Sequence, residues 1–360
     1  MACRNASDFT FNKINTTISD TYADFRDVLT AYFHEYKIQK VTNHIHESFY
    51  QTVMEFAVKR PFNWLQPRSG IVKGIKQKET AQLFFFDALG VEYLGYIIAK
   101  CKRLGLIVEA HIGHAVLPSI TSANKEFLPM FAKPQKDIKD LDELKHHSKV
   151  FDYERRHEPI YLFSELQIID DELERIHSQL VQGDFERAVI CSDHGASRLA
   201  VIAEKLNDSP IEMEEKGEHS GRCCPVAEDP KLPYVAYENG YAVLADYERF
   251  KGSRRANVEV HGGATLEEVV VPILTGRFLV SIFAALAQLE REQILIRQQE
   301  GVKAQKAAGT YTGGRPRIKI DQRQFNTVVS HWHSGEITAI QAMNELSIKK
   351  STFYRLVKQT

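Results

Sequence analysis

Four short apolar runs, each closing on a polar or glycine-bearing turn, constrain this chain more than any other feature. They are LFFFDALG (83–90), LIVEAHIG (106–113), PIYLFSEL (159–166) and RAVICSDHG (187–195), with helical patterns between them. Strand-like runs alternating with helices predict an α/β domain with a mostly parallel sheet flanked by helices. Reactive groups in such sheets gather at the carboxyl ends of strands, where Asp87, Asp193 and His194 fall.

The rest of the chain arranges itself around that domain. Residues 1–80 read as a helical lead-in, with Phe25, Val28, Leu29, Tyr32 and Phe33 at helical spacing. The domain spans 81–275. Within it, 210–233 is polar, acidic and proline-punctuated, and reads as a loop or insertion. The strand-like YVAYENGYAVLAD follows, with Asn239-Gly240 marking a hairpin turn, and the apolar NVEVHGGATLEEVVVPIL closes the domain. Residues 276–309 form one long amphipathic helix, its apolar positions including Phe278, Ile282, Leu286, Leu289, Ile294 and Ile296. Residues 310–360 hold a glycine-bearing arm and three short helical patterns, a small all-α domain.

With 43% hydrophobic and 26% charged residues, the 360-residue chain has the makings of a folded core, which excludes disorder as its main state. Its net charge of −1 conceals a division. Residues 276–360 carry 13 Lys and Arg against 6 Asp and Glu, while 1–275 carry 33 against 41, so the two parts suit different partners. Five cysteines, two of them adjacent, suggest no disulfide framework and hence a cytoplasmic location. MACRNASDFTFNK is not a secretory signal. The most apolar stretch, 269–289, is broken by Pro272, Gly276 and Arg277, so no membrane partner is expected.

Asp193 and His194 stand side by side at a strand end, Asp87 ends the first strand in the same way, and His261 lies before two glycines. Carboxylate and imidazole are ligands for zinc or manganese. Each residue alone has an ordinary reading, as a helix cap or a hydrogen-bonded histidine; the set of them points to a metal site. Pro118-Ser-Ile-Thr-Ser-Ala-Asn124 adds hydroxyls on a proline-led turn. Beside two divalent ions such a hydroxyl can be deprotonated and attack phosphorus; away from them it is an ST-turn or a cap. Cys223 and Cys224 near His219 suit an ordinary structural role, since adjacent cysteines rarely ligate one ion.

The order Asp87, Pro-Ser-x-Thr-x-x-Asn (118–124), Ser-Asp-His-Gly (192–195) and His-Gly-Gly with a following Glu-Glu and Val-Pro (261–272) resembles the alkaline phosphatase superfamily. Within it, FFFDALGVEYLGYI, LPSITSANKEF and SDHGASRLAVI resemble the PglZ phosphatase component of type 4 BREX phage-defence systems, over about residues 40–275. The resemblance implies two divalent ions, zinc or manganese. It implies one ion on Asp87, Thr121, Asp193 and His194, with Thr121 as nucleophile and Asn124 near the transferred phosphoryl oxygen. It implies a second ion on His261 with an Asp and a His four residues later. Asp170 is the candidate for that Asp, with Glu174 in the histidine's place; Glu174 and His177 also suit a surface pair. Arg198 is a candidate phosphate contact or a solvated helix start. A phosphate ester is the implied substrate, with other defence-system proteins as partners.

GRFLVSIFAALAQLEREQILIRQQEGVKAQKAAGTYTGGRPR resembles the long helix and arm of serine recombinases of the resolvase/invertase family, and ITAIQAMNELSIKKSTFYRLVK their Hin-type helix-turn-helix. The match covers about 275–360. It implies DNA as partner, with Arg315 and Arg317 in a minor groove. Lys349, Lys350, Ser351, Thr352, Tyr354 and Arg355 would stand at or near the bases and phosphates read by the second helix of the motif. The alternative is a three-helix packing unit with a solvated basic face. The recombinase catalytic domain has no counterpart here, so no strand exchange is expected. Two readings follow: a metal-dependent phosphatase or phosphodiesterase with a DNA-binding tail, or a catalytically silent DNA-binding fusion. The 278–306 helix, with its apolar stripe, suits pairing of two chains.

Overall fold

The computed structural model describes residues 23–76, 78–147, 160–206, 210–256, 258–311 and 319–358. The chain divides into two compact units, 1–287 and 288–360.

In the first unit, helices α1 (Ala23–Thr42), α2 (Glu47–Lys59) and α3 (Arg68–Gly74) precede strand β1 (Ala81–Phe86). Then come α4 (Leu94–Arg103), β2 (Leu106–His114), β3 (Lys136–Ile138), α5 (Asp140–His147), α6 (Ile160–Gln182), β4 (Arg187–Ser192) and α7 (Arg198–Leu206). Strands β5 (Cys223–Pro225), β6 (Val235–Glu238) and β7 (Tyr241–Leu244), the short α8 (Leu266–Val269) and β8 (Val270–Phe278) complete it.

The main sheet has the order β2-β8-β4-β1-β3. Strand β1 pairs in parallel with β3 and β4, whereas β8 runs antiparallel to both β2 and β4. The sheet is therefore mixed, which corrects the expectation of a mostly parallel one. The reason is local: the chain reaches β8 from His261 at the rim, with no long helix carrying it back across the sheet. Val270 accordingly starts opposite His114, the last residue of β2. All of β1 is buried; Leu83 and Phe85 pack into one apolar cluster and Phe84 and Phe86 into another, as a two-faced strand requires. The three-stranded sheet β5-β7-β6 is antiparallel, and its expected hairpin turns at Asn239 and Gly240, both at positive φ.

A second correction concerns PIYLFSEL, read as a strand: it opens the 23-residue helix α6. Its buried positions Tyr161, Glu165, Ile169, Leu173, Ile176 and Leu180 recur every three or four residues, and that longer periodicity overrides the local apolar run. The lead-in helix α1 shares the core through Phe25, Leu29, Tyr32, Phe33 and Tyr36. Tyr32 donates to Glu267 (2.6 Å) and Tyr36 to the Ala196 carbonyl (3.2 Å).

Helix α9 (Leu279–Ala307) runs into the second unit, which also holds α10 (Gln322–His333), α11 (Ala339–Glu345) and α12 (Lys350–Val357). Phe325, Val328, Ala342, Leu346, Ile348 and Phe353 form its small core, with Trp332 against Phe353 at 5.3 Å. No helix among the described residues is long and apolar enough to cross a membrane.

Candidate metal centre

Every group of the candidate centre comes from one rim of the main sheet. Asp87 follows β1, Asp193 and His194 follow β4, α5 follows β3, and His261 precedes the turn into α8 and β8. Turn Thr121–Ala123 lies beside them.

Two donor groups result, each with its ligand atoms within 4.8 Å of one another: Asp87, Asp193 and His194, and Asp142, His146 and His261. In the first, His194 Nε2 lies 3.3 Å from Asp193 Oδ2 and 3.8 Å from Asp87 Oδ1. Thr121 Oγ1 bridges Asp87 Oδ1 and His194 Nε2, at 3.3 Å from each. Asp193 spends Oδ1 on the Ala88 and His194 amides, while its buried Oδ2 accepts no hydrogen bond and faces the imidazole. His194 Nδ1 meets the Gly195 carbonyl at 3.0 Å, and His261 Nδ1 the Ser119 carbonyl at 3.0 Å. A carbonyl only accepts, so Nδ1 carries the proton in both rings and Nε2 presents a lone pair, the arrangement of metal-ligating histidines. The two rings stack 4.0 Å apart.

In the second group Asp142 Oδ1 lies 3.2 Å from His146 Nε2 and 3.7 Å from His261 Nε2. Asp142 and His146 are one turn apart on α5, so they share a face. Asp170 and Glu174, expected from the sequence at this place, stand elsewhere, which is a correction. Asp170 binds Lys100 (3.3 Å), as does Glu174 (2.7 Å), whose side chain is 59% exposed. Asp170 therefore belongs to an ion pair between α4 and α6. The signal missed was an Asp and a His four residues apart directly after a strand.

Burial, with Asp193 and Asp142 nearby, pushes the Asp87 carboxyl up to about 8. Burial also raises Asp142, but the hydrogen bond and charge of His146, with His194 and Lys145, bring it below its ordinary value. Burial and the surrounding histidines hold His261 well below its ordinary value. A divalent cation suits such a set, because positive charge is what the crowded carboxylates lack.

The loop carrying Thr121 is fixed from behind. Asn124, fully buried, donates to the Val116, Pro118 and Ile120 carbonyls and accepts from the Val116 amide and Arg68. Its hydrogen-bonding capacity is spent there, so it braces the loop, which corrects its assignment to a phosphoryl oxygen. Arg68, unnoticed in the sequence, joins Asn124 and Glu126 to the Ser192 and Asp193 carbonyls. Arg198 is likewise structural: buried, it binds Asn43 and the Val258 carbonyl. Ser119 donates to the Gly263 carbonyl and accepts from the Gly262 amide, tying this loop to His261. Arg222 and Glu268, both buried, hold the 263–265 turn. Cys223 and Cys224, on opposite faces of β5, lie in different apolar clusters and bind no histidine among the described residues.

Behind the rim lies a buried ion network. Lys40 meets Glu259 (2.5 Å), Glu92 (3.5 Å) and Glu165 (3.6 Å). Lys145 meets Glu259 (3.1 Å) and donates to the Ala88 carbonyl (2.9 Å). It thus links the segments that carry Asp87, His146 and His261.

In the second unit Thr338 caps α11 reciprocally with Gln341, Ser347 takes a positive φ in the turn, and α12 follows. Lys349, Lys350, Ser351, Tyr354 and Arg355 are exposed and Thr352 half-buried, on the outside of a core centred on Phe353. Arg315 and Arg317 lie outside the described residues, as do residues 7–22 of the lead-in.

No protein-family profile matches the chain. Known proteins match a stretch of it. The Tn552 resolvase of Staphylococcus aureus is 36% identical over 86 residues, 24% of this chain and 42% of its own length. The Tn917 resolvase of Enterococcus faecalis is 33% identical over 87 residues, and the Tn1546 resolvase of Enterococcus faecium 26% over 83, each over 23% of this chain and 44% of its own length. About a quarter of the chain is thus similar to resolvases, and it spans less than half the length of these relatives.

Proposed function

We propose that the first unit is a metal-dependent phosphoric ester hydrolase and that the second binds DNA. The convergence of two carboxylate-imidazole groups on the Thr121 hydroxyl carries the first half. Asp87, Thr121, Asp193 and His194 would hold one divalent ion and Asp142, His146 and His261 another, with zinc or manganese suited to these donors. Bound there, the ions supply charge for the phosphoryl oxygens and favour a deprotonated hydroxyl. Thr121 Oγ1 attacks phosphorus as the ester P–O bond breaks, and its proton passes to the leaving oxygen, which departs as the alcohol; water then cleaves the Oγ1–P bond, returning one proton to Oγ1 and giving its hydroxyl to the released phosphate. The resemblance of the motif order to PglZ-type phosphatases supports this reading, and the phage-defence role and its partner proteins rest on that resemblance alone.

The test is release of nitrophenol from 4-nitrophenyl phosphate and from bis(4-nitrophenyl) phosphate by the full chain with zinc or manganese. Activity should fall to background in Thr121→Ala and Asp193→Ala. No release with either metal leaves the silent DNA-binding fusion.

Similarity to resolvases and the exposed basic start of α12 support DNA binding; the matched length of 86 residues fits 275–360. Lys350→Ala should weaken binding and lower the slope of log affinity against log salt by about one. An unchanged slope removes Lys350 from the interface. The exposed Leu289, Ile294, Leu295 and Ile296 support pairing of two chains along α9; a strict monomer in sedimentation refutes it.

A further inference from the structure

An open cavity of about 520 Å³ lies over the candidate centre, lined by Thr121, Asp142, His146 and His261 of that centre and by a second group, His219, Ser220, Ser253 and Arg254, of which His219 stands with its ring 4.9 Å from that of His261. That volume is in the ~300–1,000 Å³ range of small-molecule sites and exceeds what one phosphoryl group fills. The second group offers two hydroxyls, an imidazole and a guanidinium, and no carboxylate. Arg255 next door pairs with Glu204 (3.7 Å), whereas Arg254 meets no carboxylate among the described residues.

The turn carrying His219 and Ser220 is built at a cost. Both residues lie in the left-handed region, with φ of 47° and 57°, where glycine is the unstrained choice. Around them the chain does use glycine to permit close approach. A Cβ on Gly217 or Gly221 would come within 3.0 Å or 2.4 Å of the Phe250 carbonyl oxygen, and one on Gly262 within 2.8 Å of His219 Cβ. The 217–221 turn is thus clamped against the 250 segment and the His261-Gly262 step. Side chains occupy the two left-handed positions that line the cavity.

We propose that His219, Ser220, Ser253 and Arg254 form a recognition subsite for a second, non-reacting phosphate of the substrate. The preferred substrates are then phosphate esters that carry another phosphate, rather than compact monoesters. This rests on the hydrolase reading for its position beside Thr121, but binding can be measured apart from turnover.

The experiment is calorimetry on the full chain carrying Thr121→Ala, with and without zinc, using thymidine 5′-monophosphate, thymidine 3′,5′-bisphosphate and thymidine 5′-diphosphate. At least one doubly phosphorylated ligand should bind ten or more times tighter than the monophosphate; which one does so separates a phosphodiester chain from an anhydride. Adding Arg254→Ala should abolish the preference and Arg254→Lys should restore part of it, while Arg255→Ala should keep it whole. Ser220→Gly should weaken the preference about threefold without lowering the melting temperature, because glycine relieves the backbone; a merely structural Ser220 would leave the preference unmoved. Equal binding of all three ligands, or a preference that survives Arg254→Ala, overturns the proposal. Absence of nitrophenol release from the chain with Thr121 intact overturns the hydrolase reading instead.

Discussion

The two units handle charge in opposite ways. The first buries it: Lys40, Lys145, Glu165 and Glu259 are almost fully enclosed, and the histidines and carboxylates of the rim crowd one another. The second keeps an apolar centre of Phe353, Phe325 and Val328 and leaves Lys349, Lys350 and Arg355 outside. Enclosed charge is costly unless paired, so it fixes geometry; displayed charge costs little and is ready for a partner.

That contrast can be broken by substitution. Lys40→Met should have the largest effect, about 3–5 kcal/mol in denaturant unfolding, because Glu259 and Glu165 keep their burial and lose a cation. A loss below about 1 kcal/mol would mean that water reaches the network and the charge is not truly enclosed.

Next comes Asp246, which burial pushes up to about 6 against the pull of Arg222. Its folded-state value exceeds the unfolded one, so its protonated form contributes stability that is complete below about pH 4 and lost as pH rises through about 6. The difference should amount to roughly 3 kcal/mol, and Asp246→Asn should flatten that part of the stability profile. A profile unchanged by the substitution would assign the slope to other groups.

The smallest effect belongs to the second unit. Thr338→Ala removes a reciprocal cap from α11 and should cost about 1 kcal/mol. Thermal melting that registers several times that loss would reveal a dependence on polar contacts that its apolar core conceals.

Much of the rim was legible because strand ends advertise themselves: Asp87 and the Asp193-His194 pair follow apolar runs directly. Asp142 and His146 were not, since β3 is only three residues long and gives no apolar run to read. Asp170 and Glu174 on α6 show the same four-residue spacing, which a sequence cannot tell from that of Asp142 and His146. Asn124 is legible as part of the loop motif, but a sequence cannot tell a side chain that braces its own loop from one that faces a ligand. His219 and Ser220 sit in an acidic, proline-punctuated segment with no periodicity, and only the folded chain brings them over the rim. In the second unit the three short helices after the arm were legible as local helical patterns, whereas the arm with Arg315 and Arg317 lies outside the described residues.

Strand β8 is bonded on both sides, from Val270 opposite His114 to Phe278 opposite Leu106 on one flank and along β4 on the other. It is also the last element before α9. A pull on the tail therefore loads that strand along its own axis, so that its ladders must shear together instead of unzipping bond by bond. Force applied through α9 thus meets two ladders at once before it reaches the rest of the sheet.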